Sequence, residues 1–92
     1  MARPIESQLY RELVDSCFRF IERGTREINE IYESVQNRFP NLCDDDYPCP
    51  HLRNAVMPQP EWKHIVRAAL NACKKRGDNL DFTGTKGIWI FT

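Results

Sequence analysis

The sequence predicts an α+β fold in which three helices are followed by a C-terminal β-hairpin. Three observations lead there. Three stretches space their apolar residues at helical intervals. Glycine or proline closes each of them, at Gly24, Pro40 and Gly77. The remaining residues, 79–92, switch to alternating, β-branched and aromatic residues around a glycine-rich turn. With 92 residues the chain is one domain, because chains usually divide only beyond roughly 250–300 residues.

Residues 5–22 read as the first helix. Ile5, Leu9, Leu13, Cys17 and Phe20/Ile21 recur on one side, with Arg11, Glu12, Asp15, Arg19 and Glu22 on the other. Arg23-Gly24 is the expected stop, since glycine accepts the left-handed cap conformation. Thr25 is the expected cap of the second helix, and Glu27 suits the positive end of its dipole. Ile28, Ile31, Tyr32, Val35 and Phe39 form its apolar stripe, and Pro40 ends it near Phe39.

Residues 40–60 break the pattern. Five of the six prolines fall here, together with Cys43, Cys49, His51 and the acidic run Asp44-Asp45-Asp46. A structureless loop this long is uncommon inside a compact domain, so something should tie it down or give it a role. Residues 61–76 are the clearest helix. Pro60 suits its first position, Trp62, Ile65, Val66, Ala69, Leu70 and Cys73 make one apolar face, and Gly77 is the natural C-cap. In the hairpin, Leu80 and Phe82 alternate with polar residues, Thr83-Gly84-Thr85-Lys86-Gly87 supplies the turn, and Ile88–Thr92 is the second strand.

Three helices and a hairpin, in this order, are the plan of a winged helix, with a long loop between helices two and three and residues 79–92 as the wing. In such folds the last helix before the hairpin enters the DNA major groove. Its outer face carries Lys63, Arg67, Asn71 and Lys74, with Lys75 beside them, and the wing tip carries Thr85 and Lys86. Arginine pairs bidentately with guanine and asparagine with adenine, while lysine mostly neutralises phosphate. These seven residues are the expected contacts to double-stranded DNA. The competing reading is an ordinary solvated amphipathic helix in a module that docks proteins.

The net charge of zero conceals an asymmetry that favours the first reading. Residues 1–58 hold seven basic and ten acidic residues, a balance of −3, whereas residues 59–92 hold six and three, a balance of +3. Overall neutrality argues against a histone-like polycation, and a basic C-terminal third points to an anionic partner. No apolar run is long enough for a membrane span or a signal peptide. A cytoplasmic setting is therefore expected, with the four cysteines as thiols or ligands.

The pattern Glu61-Trp62-x-x-x-Val66-Arg67-x-Ala69-Leu70-x-x-x-Lys74-x-x-Gly77, followed by Gly87-Ile88-Trp89, resembles the N-terminal winged-helix domain of Mrr-type restriction endonucleases. Thr25-Arg26-Glu27-Ile28 looks like the start of that domain's second helix. The resemblance covers about residues 9–39 and 60–92. It implies a DNA-binding module upstream of a separate nuclease domain, for which these residues offer no segment. The Cys- and Pro-rich loop 40–60 departs from the family's pattern.

That loop raises the question of metal. Cys43-x5-Cys49-x-His51 with His64 would give zinc four soft ligands, although the spacing is not that of a standard ribbon or finger. The alternatives are a loop without metal and a Cys43–Cys49 disulfide, the latter disfavoured in a reducing compartment. Cys17 and Cys73 read as core thiols. Asp44-Asp45-Asp46 reads as a solvated acidic loop, because consecutive carboxylates do not converge on one point. No nucleophile–base pair, phosphate loop or paired catalytic carboxylates stand out, so catalysis is not expected.

Overall fold

The computed structural model of the chain describes residues 4–47, 60–77 and 79–92. It is a small α+β fold. Helix α1 (Pro4–Ser16) leads through a turn to strand β1 (Gly24–Glu27), helix α2 (Ile28–Arg38) and a single 3₁₀ turn (Pro40–Leu42). Helix α3 (Glu61–Arg76) and the hairpin strands β2 (Leu80–Phe82) and β3 (Ile88–Phe91) follow. The three strands form one antiparallel sheet in the order β1-β3-β2.

Helix α3 has the bounds its sequence pattern predicts. Glu61 opens it, Lys74, Lys75 and Arg76 fill its last turn, and Gly77 closes it in the left-handed conformation at φ 72°. Pro60 stands one position earlier than expected, as the N-cap. The first helix is shorter than its pattern. It stops at Ser16, because Cys17 and Phe18 turn left-handed at φ 52° and 58°. That conformation costs a non-glycine residue about 1–2 kcal/mol. Fully burying Phe18 and nearly burying Cys17 offsets it, since a large apolar side chain contributes about 1.5–3 kcal/mol on burial. Arg23 and Asn79 complete the turn. Arg23 donates to the carbonyls of Phe18 and Ile21, while the Asn79 amide bridges the Cys17 carbonyl and Arg23.

The start of the second helix also differs. Gly24 and Thr25 are not stop and cap; they belong to β1, where Thr25 faces Ile90 and Arg26 faces Trp89. Glu27 is the N-cap instead, and its backbone N–H donates to Glu30 Oε1 at 3.1 Å. The hairpin is therefore one part of a three-stranded sheet, and β3, its most β-prone segment, is the central strand.

One core joins all the helices and the sheet. Leu9 and Leu13 of α1, Ile31 and Val35 of α2, and Trp62, Val66, Ala69 and Leu70 of α3 are essentially inaccessible, as is Phe91 of β3. Helix α1 packs chiefly on α3, and Arg76 ties the two together by donating to the Val14 carbonyl at 3.3 Å. Phe20 sits edge-on to Phe39, with ring centroids 5.6 Å apart, and seals the end of α2 against the turn after α1. Among the described residues, no helix is long and apolar enough to cross a membrane.

Candidate nucleic-acid interface

Part of the polar face of α3, at Lys63, Arg67 and Asn71, forms the floor of a furrow, with α2 as one bank and the β2–β3 hairpin as the other, while Lys74 and Lys75 are exposed beyond it. At the hairpin end the furrow widens into a cleft of about 670 Å³. Helix α2 contributes Ile28, Asn29 and Tyr32, α3 contributes Arg67 and Asn71, and the hairpin contributes Phe82, Gly84, Lys86, Gly87 and Trp89. Among the described residues, no carboxylate lines it. A second hollow, of about 460 Å³, shares Asn29 and Tyr32 and continues toward the loop, where Glu33, Gln36, Asp45, Trp62 and Lys63 line it.

The hairpin is fixed by its own turn and by α2. Thr83 Oγ1 donates to the Ile88 carbonyl at 2.9 Å, and the Thr85 N–H donates back to Thr83 Oγ1 at 3.3 Å. The Ile28 N–H donates to the Gly87 carbonyl at 2.7 Å, which joins the start of α2 to the hairpin. Gly87 needs its glycine. Its φ is +80°, which side-chain-bearing residues rarely adopt, although an added Cβ would meet the Ile28 side chain only at ordinary van der Waals distance, 3.6 Å.

Aromatic rings carry two of the three lysines of α3. Lys63 Nζ lies 5.2 Å from the Tyr32 ring centroid and 5.7 Å from that of Trp62. Lys74 Nζ lies 5.9 Å from the Phe82 ring, which itself leans on Trp89 at 5.1 Å. Burial pushes the Tyr32 hydroxyl above its ordinary pKa, and the Arg67 cation partly opposes that rise. Asn71 uses one amide N–H on the Arg67 carbonyl at 3.2 Å.

Arg67, Asn71 and Lys86 therefore meet at one cleft, and Lys63 continues the row into the second hollow. Lys74 stands beside Phe82, while Lys75 and Thr85 are exposed but line neither hollow. Asn29, Tyr32, Phe82 and Trp89 were not anticipated as part of this site. Tyr32 and Trp89 carried only a core signal. Asn29, next to Ile28 and off the apolar stripe, carried a faint one.

Asp45 and Asp46 are exposed, as the solvated acidic run implies, yet the run is also tied down by hydrogen bonds. Asp45 Oδ1 accepts from Trp62 Nε1 at 2.7 Å, and Oδ2 accepts from Gln36 Nε2 at 3.2 Å. Asp44 Oδ1 accepts the Asp46 N–H at 2.9 Å, and the Glu61 N–H donates to the Tyr47 carbonyl at 2.9 Å. These bonds tie the first half of the loop to the start of α3.

Of the four candidate zinc ligands, Cys49 and His51 lie outside the described residues. Cys43 is buried in the hydrophobic core and His64 is half-buried on α3. Among the described residues, no group of three or more His, Cys, Asp or Glu side chains could hold a metal ion. Cys17 and Cys73 are both buried thiols.

Set against family models, curated proteins and solved structures, the chain matches none of them.

Proposed function

We propose that this domain binds double-stranded DNA as a winged helix, with α3 as the reading helix and the β2–β3 hairpin as the wing. The observation that carries the reading is the convergence of Arg67, Asn71 and Lys86 at a cleft that no carboxylate among the described residues lines, with Lys63 and Lys74 flanking it. The cations of a recognition helix and of a wing tip act on one partner only if both face the same side. The element order supports the reading too, because β1 between the first two helices completes the small sheet on which a winged helix builds its wing. Lys75 and Thr85 belong to the periphery of this surface, where they would meet phosphates.

The resemblance to the recognition domain of Mrr-type restriction endonucleases fits this role. Its motif speaks mainly for packing, since Trp62, Val66, Leu70 and Trp89 are all buried.

The test is binding to a duplex at two salt concentrations. Each phosphate contact contributes about 0.9 to the slope of log K against log salt, so neutralising Lys63 and Arg67 together should lower that slope by about 2 and weaken binding at least tenfold. A double variant with unchanged affinity and slope would overturn the assigned face.

A docking module for another protein is the second reading. It is favoured by Ile90, which is 37% exposed on the outer face of the sheet between Thr25 and Asp81. Failure to bind any duplex at low salt would favour it.

A further inference from the structure

We propose that the cleft between α2, α3 and the hairpin receives a single unstacked nucleotide. Its base would lie against Ile28, Phe82 and Trp89, and its phosphate would meet Arg67 and Lys86. The proposal rests on the DNA-binding reading and narrows what that site recognises.

The shape comes first. Base edges within a duplex are read by side chains that project into a groove. Arg67 and Asn71 line an open hollow between two ridges, Arg67 half-buried and Asn71 exposed, so a ligand group can settle between the ridges against both. A volume of about 670 Å³ falls within the ~300–1,000 Å³ of small-ligand sites.

The lining supplies the chemistry. One wall is apolar, Asn29 and Asn71 offer amides that both donate and accept, and Arg67 and Lys86 are cations. An apolar ligand would leave the amides and cations unmatched. A simple anion would leave the apolar wall in water. A heterocycle with a hydrogen-bonding edge and a phosphate uses all three. Stacking and edge contacts are the means by which proteins hold bases taken out of a helix.

The hollow is also built in advance. The hairpin is fastened to α2 through the Ile28–Gly87 hydrogen bond. Phe82 is held against Trp89 yet remains 36% exposed toward solvent. Such a nucleotide could come from a strand, at a bulge or a distorted step, or it could be a free mononucleotide.

Three probes separate these cases: a fully paired duplex, the same duplex carrying one bulged deoxyadenosine, and free 5′-dAMP. The expected result is at least tenfold tighter binding of the bulged duplex than of the paired one. Phe82→Ala should cut that ratio to below about twofold. Asn29→Ala, at an exposed helix position where alanine is favourable, should reduce it as well. Equal affinity for both duplexes would overturn this inference and leave duplex binding standing. A ratio unchanged in both variants would also overturn it, because the bulge would then be sensed elsewhere. If neither duplex binds at low salt, the DNA-binding reading falls. In that case 5′-dAMP decides the cleft: shifts in the Asn29 and Asn71 side-chain amide NMR signals would keep it as a free-nucleotide site, and their absence would remove it.

Discussion

The two ends of the furrow share a floor and part of a wall, yet they carry opposite electrostatics. At the hairpin end, Arg67 and Lys86 meet no carboxylate in the lining among the described residues. At the loop end, Lys63 shares its hollow with Glu33 and Asp45. A formal charge of zero thus describes the sum and not the surface. One stretch of furrow attracts phosphate, and the next is partly neutralised. On the proposed DNA-binding reading, this contrast would favour a strand's backbone on the hairpin side over the loop side.

The largest effect expected from the contrast is an inequality between two charge reversals. Arg67→Glu replaces a cation of the cleft with a carboxylate and should weaken duplex binding by roughly a hundredfold at low salt. Lys63→Glu changes charge by the same amount at an end already held down by two acids, and should cost roughly tenfold. Titrations of both variants at one salt concentration check this. Equal losses would mean that the two ends are electrostatically alike.

Asp45 sharpens the comparison, because its structural and electrostatic roles can be separated. Its carboxylate accepts from the indole of Trp62, a residue 1% exposed in the core. Asp45→Ala strands that buried N–H and should lower stability by about 1–3 kcal/mol, read from chemical denaturation. Asp45→Asn retains a carbonyl oxygen for the indole and removes the charge. It should nearly preserve the stability and raise duplex affinity about threefold at low salt, an increase that fades as salt screens the site. An Asn variant that binds no better would show that the acidic loop is only a clasp for α3.

The same contrast separates what the sequence makes legible from what it does not. Helix α3 and its cations can be read locally, because one amphipathic stretch, a proline before it and a glycine after it specify the element and its outer face. Strand β1 cannot. Gly24-Thr25-Arg26-Glu27 contains no apolar residue, and these four become a strand only because β3 offers them an edge. The end of α1 misleads in the opposite way. Cys17, Phe18, Phe20 and Ile21 keep a helical spacing while the chain turns through two left-handed residues, a cost that only their burial in the assembled core offsets. The cleft has the same origin. Asn29, Tyr32, Phe82 and Trp89 reach Arg67 from three other elements, and the clasp of Asp45 on Trp62 spans seventeen positions. Neither leaves a periodic trace.

The smallest expected effect concerns Tyr32, the residue common to both hollows. Burial raises its pKa above the ordinary tyrosine value of about 10, and the Arg67 cation pulls it back only in part. Its neutral form is therefore favoured in the folded state. Near pH 10 and above, the unfolded chain loses this proton before the folded chain does. The contribution of Tyr32 is thus fully present below about pH 10 and is lost as pH rises through its folded-state pKa. Other tyrosines and the lysines titrate in the same range, so the readout is a difference. Thermal unfolding of the native protein and of Tyr32→Phe, which keeps the ring beneath Lys63, should be compared at steps from pH 8 to 11. The gap between the two melting curves should be constant up to about pH 9.5 and then shift against the native protein by a degree or two. Parallel curves throughout would mean that Tyr32 ionises as easily in the fold as out of it, and that the wall between the two ends of the furrow is open to water.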